Sequence, residues 1–280
     1  MMETLVKILV ALIPKLIIKL YERIFESKKE NEQLKIPKVS DQIEPTPIAE
    51  WPSTTIRLKQ AVDIIFEHIK YPLDKVAYEL GLNSETAFKE LLNGTKEPKF
   101  EFLERFALQF GVNKDWLISG EGTLFRVGEY QRYATGYLDI IINAKPESVY
   151  LIRENSETGR TGIVLKLDQW NYQVLEKYYH LSSEVGRTGQ NQIKSFYNFI
   201  KKLKSRGLTD IIGKHIDKES FSKLFNGNYS PKFLEKGSYS YWYEHFQDYE
   251  HKYPDSKYYG DWYGSEFLDA QRILKYTLAK

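Results

Sequence analysis

The chain has 280 residues, of which 42% are hydrophobic and 28% are charged, and its formal net charge is +2. This balance is typical of a folded globular protein and excludes a disordered chain. The sequence contains no cysteine, which excludes a disulfide framework and a thiolate metal site and suits a reducing, cytoplasmic environment. The near-neutral charge argues against non-specific nucleic-acid binding, so any DNA binding must come from a local arrangement.

Residues 1–25 are the most apolar stretch of the sequence. On a helical wheel, the charged side chains lie on one half and most leucines and isoleucines on the other. Pro14 and three interrupting lysines argue against a transmembrane span. The pattern predicts an amphipathic helix, either packed on itself or on another protein, or in peripheral contact with a membrane. Residues 26–54 are polar and rich in proline, which predicts a linker.

Residues 55–122 have the spacing of a bundle of short helices. The stretch 55–70 places apolar residues at helical intervals, and Pro72 opens a second helix whose Val76, Ala77 and Leu80 face inward. We expect a sharp turn at Gly81.

A third helix is expected from about residue 85 to residue 92. Ser84 is placed to cap its start, Asn93-Gly94 would end it, and Phe88 and Leu91 would turn toward the core. Pro98 begins the next helix, which is expected to bury four residues: Phe100, Leu103, Phe106 and Ala107.

The stretch "VAYELGLNSETAFKELLNG", followed by "DWLISGEG" at 115–122, resembles the Cro/CI-type helix-turn-helix of phage repressors and related bacterial regulators. The resemblance covers residues 55–122 only. It implies five short helices, with the helix at about 85–92 entering the major groove of double-stranded DNA. The implied function is that of a sequence-specific transcriptional regulator of the prophage or bacterial repressor type.

The exposed side of the third helix supplies the candidate base contacts. Thr86 and Lys89 are placed to reach base edges, and the neighbouring glutamates can accept a hydrogen bond from cytosine N4, although they repel phosphate. Lysines before and after this helix are the candidate phosphate contacts. The predicted DNA-binding residues are Lys75, Glu85, Thr86, Lys89, Glu90, Lys96 and Lys99. The alternative is a helix-turn-helix that contacts protein.

Residues 126–280 are predicted to form a sensing or dimerisation domain with a small antiparallel sheet and helices. Strand-like alternation covers 148–154, 162–168 and 172–181, and a helix follows near 190–206. With residues 55–125 as the helix-turn-helix domain, the predicted fold class is α+β and mostly helical. A homo-oligomer is expected.

Two short patterns occur twice in the sequence. "SETGRTG" at 156–162 returns as "SEVGRTG" at 183–189, and neither copy has the strand, helix and lysine that a nucleotide loop needs. We therefore expect turns, with an anion beside Arg187 as the alternative for the second copy. The pattern from Phe88 to Phe100 returns from Phe221 to Phe233, which indicates either a degenerate second helix-turn-helix at 208–233 or a recurrent helix ending.

No pattern in the sequence predicts a catalytic site, a metal or a cofactor. The aromatic segment 239–263 contains His245, Asp248 and His251, but the two histidines lie six residues apart and share a helical face poorly. We expect no enzyme activity, and the C-terminal domain is left open in this respect. The alternative function is a membrane-associated effector, of phage defence for example, that uses the helix-turn-helix as a sensor or protein-interaction module.

Overall fold

The protein has an α+β fold in which five helices precede a mixed five-stranded sheet with further helices. The computed structural model describes residues 53–67, 71–156, 159–183, 185–207 and 210–279. The predicted amphipathic helix at 1–25 and nearly all of the predicted linker at 26–54 lie outside the described residues.

Helix α3 (Glu85–Leu92) begins and ends where the local signals predict, whereas the helix expected over 55–70 ends at Phe66 and the one expected from Pro98 begins at Phe100. Ser84 caps α3 by accepting a hydrogen bond from the Ala87 amide at 3.1 Å, and Gly111 ends α4 in the left-handed conformation. The helices are α1 Ser53–Phe66, α2 Leu73–Glu79, α3 Glu85–Leu92, α4 Phe100–Phe110 and α5 Lys114–Ser119.

One predicted core residue of α4 lies at the surface. The Phe100 side chain is 64% exposed, whereas Phe102, Phe106 and Phe110 are buried. These three phenylalanines are four residues apart and form a single stripe along the helix, and Phe100 lies off that stripe. The prediction that Phe100 is buried was therefore wrong, while the burial of Leu103 was correctly predicted.

Helices and short strands alternate in the rest of the chain. The first group comprises a 3₁₀ helix Ala134–Tyr137, α6 Leu138–Ala144, β1 Ser148–Glu154, β2 Arg160–Lys166, β3 Tyr172–Val174 and β4 Tyr179–His180. The second group comprises α7 Arg187–Ser205, β5 Ile211–Ile216, α8 Lys218–Phe225, a 3₁₀ helix Pro231–Glu235, α9 Trp242–Gln247, a 3₁₀ helix Ser256–Tyr258, α10 Tyr259–Tyr263 and α11 Ser265–Leu278.

The sheet is mixed, which corrects the expectation of an antiparallel one. Its strand order is β3-β2-β1-β5, and β4 pairs with β2. Strand β1 is antiparallel to β2, with Leu151 opposite Ile163, and parallel to β5, with Leu151 opposite Gly213. The 19-residue helix α7 precedes β5 and provides the long crossover that a parallel neighbour requires.

Both faces of the sheet are covered, so every residue of β1 is buried. On one face, Leu151 and Ile163 belong to a core that includes Phe196 of α7. On the other face, Ile152 belongs to a core with Phe221 of α8. The region that was predicted as one strand at 172–181 is divided between β3 and β4.

Helix α8 has the same length as α3 and a similar cap and terminal glycine, but a different element precedes it. Both helices have eight residues, and the caps Ser84 and Asp217 each accept a hydrogen bond from the amide three residues later. The glycines that follow them, Gly94 and Gly227, have φ angles of +71° and +68°. Strand β5, and not a helix, precedes α8. The interpretation of residues 208–233 as a second helix-turn-helix was therefore wrong, and the repeated sequence pattern is a recurrent helix ending.

The helical segment α1–α5 shares its core with the turn between β2 and β3. Trp170 of this turn belongs to the same buried cluster as Phe110 and lies 5.2 Å from it between ring centroids. The described residues all belong to one compact unit. Within the described part of the chain, none of the helices combines the length and the apolar character that crossing a membrane requires.

Candidate nucleic-acid interface

The turn between α2 and α3 is built on a glycine. Gly81 has a φ angle of +68°, a conformation that favours glycine because other side chains clash with the backbone there. The amide of Leu82 donates to the Ala77 carbonyl at 2.8 Å, which closes the end of α2. Ala77 and Leu80 are both buried, so the turn is held against the core on its inner side.

The inner side of α3 fixes how this helix is oriented. Phe88 and Leu91 are buried, and the Phe88 ring lies 6.4 Å from the Phe102 ring of α4. Because positions 88 and 91 lie three residues apart on one side of the helix, the opposite side must face solvent. The core therefore selects which residues of α3 are available to a partner.

Three of the seven predicted DNA contacts lie exposed on α3. These are Thr86, Lys89 and Glu90, and Glu85 beside them is half-buried. The Lys89 ammonium forms an ion pair with the Glu85 carboxylate at 2.6 Å. An exposed pair of this kind contributes at most about 1 kcal/mol, so Lys89 can exchange Glu85 for a phosphate or a base at little cost.

The three predicted phosphate contacts are exposed and lie on both sides of α3 in sequence. Lys75 is on α2, with its ammonium 4.8 Å from the centre of the Tyr71 ring. Lys96 lies in the connection between α3 and α4, and Lys99 is the cap residue of α4. None of the three forms an ion pair with another described residue, which leaves their charges available to an anion.

Two exposed aromatic residues on these helices are not among the residues predicted from the sequence. The Tyr78 side chain on α2 is 83% exposed, and Phe100 at the start of α4 is 64% exposed. The outward position of Tyr78 was readable from the sequence, because its neighbours Val76, Ala77 and Leu80 occupy the inward positions. Phe100 gave no such signal, since it is as apolar as the phenylalanines that are buried.

In the first copy of the repeated loop pattern, Arg160 joins the sheet to α8. Arg160 donates to the buried Glu154 carboxylate at 2.5 Å and to the Ser222 hydroxyl of α8 at 3.2 Å. Its guanidinium also lies 4.9 Å from the centre of the Phe221 ring. Two nitrogens of this guanidinium are bound to protein groups and its charge is paired with Glu154, which favours the predicted turn over a phosphate site.

The second copy lies at the start of α7. Gly186 precedes the helix, and Arg187 is its first residue and is exposed. The prediction of a turn was therefore wrong for residues 187–189, which belong to the helix. The alternative of an anion beside Arg187 stays a prediction.

A second set of ionisable residues is buried where β1 and β5 run side by side. Arg153 lies opposite His215 in the parallel register, and burial lowers the pKa of Arg153 to about 10. Burial, and then the Arg153 charge, lower the pKa of His215 to about 4, so this imidazole is neutral at neutral pH. The arrangement holds a guanidinium beside a neutral histidine, and the Ser240 hydroxyl lies 3.5 Å from the His215 Nδ1 nitrogen.

The aromatic segment 239–263 is divided between core and surface. Trp242, Tyr259 and Tyr263 are buried, whereas Tyr258 and Trp262 are partly exposed. His245 stacks on Tyr259 at 4.7 Å and accepts or donates a hydrogen bond with the Tyr263 hydroxyl at 2.8 Å. The Asp248 carboxylate receives hydrogen bonds from the backbone amides of residues 252 and 253 and from the Tyr259 hydroxyl. Among the described residues, no group of three histidine or acidic side chains is placed to hold a metal ion.

Comparison with family models, with curated protein sequences and with solved structures gives no match for this chain. The functional interpretation consequently rests on the residues and the geometry described above.

Proposed function

We propose that the protein is a sequence-specific DNA-binding transcriptional regulator that places α3 in the major groove. The observation that carries this proposal is the orientation of α3. The Gly81 turn and the buried pair Phe88 and Leu91 leave Thr86, Lys89 and Glu90 exposed together on one side of an eight-residue helix. An α-helix of this kind fits the major groove, where each base pair presents a distinct pattern of donors and acceptors.

The residues of α3 have complementary roles in this proposal. The Thr86 hydroxyl and the Lys89 ammonium contact base edges, and Glu90 accepts a hydrogen bond from a cytosine N4 amino group. Lys75, Lys96 and the other exposed lysine, Lys99, contact phosphates and set the register of the protein on the duplex. The acidic side chains on α3 disfavour binding wherever no cytosine amino group is available, so they contribute to discrimination between sequences.

The charge balance predicts modest, salt-sensitive affinity. Three phosphate contacts would give a slope of about −3 for the logarithm of the binding constant against the logarithm of the salt concentration. Residues 53–125 carry more acidic than basic side chains. Binding should therefore depend on the local lysines and should be measured at low ionic strength first.

Selection of bound fragments from random double-stranded DNA by the full-length chain tests this proposal. We expect enrichment of one short motif at low salt, and we expect loss of binding to that motif when Lys89 is changed to glutamate. The control is Lys275→Glu, which makes the same charge change on α11, outside the helical segment. Absence of any enriched motif at low salt would contradict DNA recognition.

The second candidate function is that of a membrane-associated effector that uses α2–α4 to bind protein. The exposed Tyr78 and Phe100 support it, because aromatic residues are enriched in the cores of protein interfaces. If the protein is such an effector, Lys89→Glu should still bind the protein partner and Tyr78→Ser should not. The two candidates thus differ in which exposed residue of the helical segment carries the interaction.

A further inference from the structure

A cleft of about 510 Å³ lies between the helical segment and the edge of the sheet. Ala107 and Leu108 of α4 form one wall, the connection at Arg126 and Gly128 forms the second, and Gln173 of β3 belongs to the third. The volume lies in the range of about 300–1,000 Å³ that is usual for small-molecule sites.

Two glycines keep the walls of the cleft close to their neighbours. A side-chain carbon at Gly111 would lie 2.9 Å from the Trp170 carbonyl oxygen, and Gly111 also has a φ angle of +66°. A side-chain carbon at Gly128 would lie 2.9 Å from the Nε2 nitrogen of the Gln173 side chain. Gly111 therefore requires glycine for the cleft to have its present shape, whereas at Gly128 the flexible end of the Gln173 side chain could move aside.

The cleft has a positive charge that no described acidic residue neutralises. Lys114 and Glu104, which also line it, form an ion pair at 3.2 Å and neutralise one another. Arg126 is exposed and forms no ion pair with any other described residue. Its planar guanidinium has the fork of donors that binds a carboxylate with two parallel hydrogen bonds.

The remaining lining residues supply apolar contact and one side-chain amide that is not already hydrogen-bonded to a described residue. Ala107 is buried at the base of the cleft, and Leu108 at its rim is 77% exposed. The Gln173 side chain makes no hydrogen bond to another described residue, so its amide can donate to or accept from a ligand. A ligand that matches this lining has an apolar body and one carboxylate.

We propose that this cleft binds a small organic carboxylate, with Arg126 holding the carboxylate and the α4 wall contacting the apolar body. The inference is independent of DNA binding, since none of the lining residues named here belongs to α2 or α3. The ligand contacts the helical segment, the connection and the sheet at once, so binding stabilises their present arrangement.

Calorimetric titration of the full-length chain with 2-naphthoate and 2-naphthamide tests the proposal, because the two probes differ mainly in charge. We expect saturable binding of 2-naphthoate with one site per chain and weaker binding of 2-naphthamide. Arg126→Gln should weaken 2-naphthoate binding by at least about tenfold and should leave 2-naphthamide binding unchanged. Arg272→Gln, which removes an exposed arginine on α11, is the matched control and should have no effect.

A second pair of variants tests the position of the ligand. Leu108→Glu places a negative charge in the α4 wall and should weaken 2-naphthoate binding more than Leu108→Gln does, because glutamine has the shape of glutamate without its charge. The high exposure of Leu108 allows both variants to fold, which thermal unfolding checks. The proposal is overturned if 2-naphthoate shows no saturable binding, if it binds no more tightly than 2-naphthamide, or if Arg126→Gln and Arg272→Gln have equal effects.

Discussion

Charged side chains of this protein differ in what surrounds them, and their surroundings set their roles. Lys89 and Glu85 pair in solvent, where the pair contributes little to stability and breaks readily. Arg160 and Glu154 pair inside the protein, where removal of one partner would leave an uncompensated charge at a cost of about 3–5 kcal/mol. The Lys89–Glu85 pair therefore lies on a surface that can bind a partner, whereas the Arg160–Glu154 pair stabilises the fold.

Two substitutions on α3 are expected to change DNA binding in different ways. Lys89→Glu adds negative charge next to Glu85 and Glu90, so it should weaken binding to every sequence. Thr86→Ala removes one hydroxyl contact, which should cost about 1–3 kcal/mol at the preferred base and relax the sequence preference. Gel-shift titrations with the selected motif and with single-base variants of it measure both effects. Equal affinity of the original chain and of Lys89→Glu would indicate a protein-binding surface instead.

The buried imidazole of His215 is expected to make stability depend on pH. Its pKa is lowered from 6.5 to about 4, first by burial and then by the Arg153 charge. The unfolded chain therefore takes up a proton at a higher pH than the folded chain, so the stability contribution is complete above pH 6.5 and is lost as the pH falls toward 4. The shift corresponds to about 3 kcal/mol over this window.

Urea unfolding at pH 7.5 and pH 4.5 measures this contribution. His215→Gln should lose less stability between the two pH values than the original chain, by about 2–3 kcal/mol. His251→Gln, which changes an exposed histidine, should keep the pH dependence of the original chain. If His215→Gln keeps it too, the buried imidazole is not its source.

At the scale of the elements, the turn between β2 and β3 completes the core of the helical segment. The Trp170 ring lies 5.1 Å from the Tyr71 ring and 5.2 Å from the Phe110 ring, and the Lys232 ammonium lies 4.9 Å from it on the 3₁₀ helix that follows α8. Asp168 holds the turn by accepting hydrogen bonds from the amides of Trp170 and Asn171. The Trp170 side chain thus joins the turn between β2 and β3 to Tyr71, Phe110 and Lys232 in other parts of the chain.

Trp170→Ala is expected to destabilise the protein by about 3–5 kcal/mol, because it opens a cavity between buried aromatic rings. The free energy of unfolding in urea measures the loss. Trp262→Ala removes a tryptophan that is about half exposed and should cost much less. Similar losses for the two variants would show that Trp170 does not contribute to the shared core.

The fragment 53–125 is expected to fold by itself as an all-helical domain, since its apolar residues close on one another. It lacks Trp170, so its helices should unfold at a lower urea concentration than in the full-length chain. Circular dichroism during urea titration measures both properties. A spectrum of mostly coil at zero urea would contradict the domain interpretation.

At the scale of the whole molecule, residues 1–30 are expected to control assembly rather than DNA recognition. Their apolar half would bury several leucines and isoleucines, each stabilising association by about 1.5–3 kcal/mol. Deletion of residues 1–30 should leave the DNA affinity of the monomeric unit largely unchanged. The full chain should differ by forming oligomers or by sedimenting with anionic vesicles.

Analytical ultracentrifugation and vesicle sedimentation distinguish the two roles of this segment. Vesicle binding that is lost in Leu12→Asp and Leu16→Asp would favour the membrane-associated effector. An oligomer that is lost on deletion, without vesicle binding, would favour self-association. An unchanged oligomeric state together with no vesicle binding would contradict both roles.

The sequence by itself determined the local structure of the helical segment. Gly81, Ser84 and the pair Asn93-Gly94 act within a few residues of their own position, so their turns and caps could be predicted without knowledge of the rest of the chain. The helical spacing of Phe88 and Leu91 likewise determined which side of α3 is exposed. The candidate DNA contacts on α3 could therefore be assigned from the sequence, and so could the Lys89–Glu85 pair, whose members lie four residues apart.

Only the tertiary structure decided the features that join distant parts of the chain. The parallel pairing of β1 with β5, the burial of Trp170 against Phe110 and the cleft beside Arg126 all bring together residues separated by dozens of positions. Local propensity carries no information on such partners, because the same apolar pattern can be buried against many surfaces. For the same reason the sequence could not separate the buried Tyr259 from the exposed Tyr258: both are tyrosines in one aromatic run, and packing of the surrounding helices selects which of them enters the core.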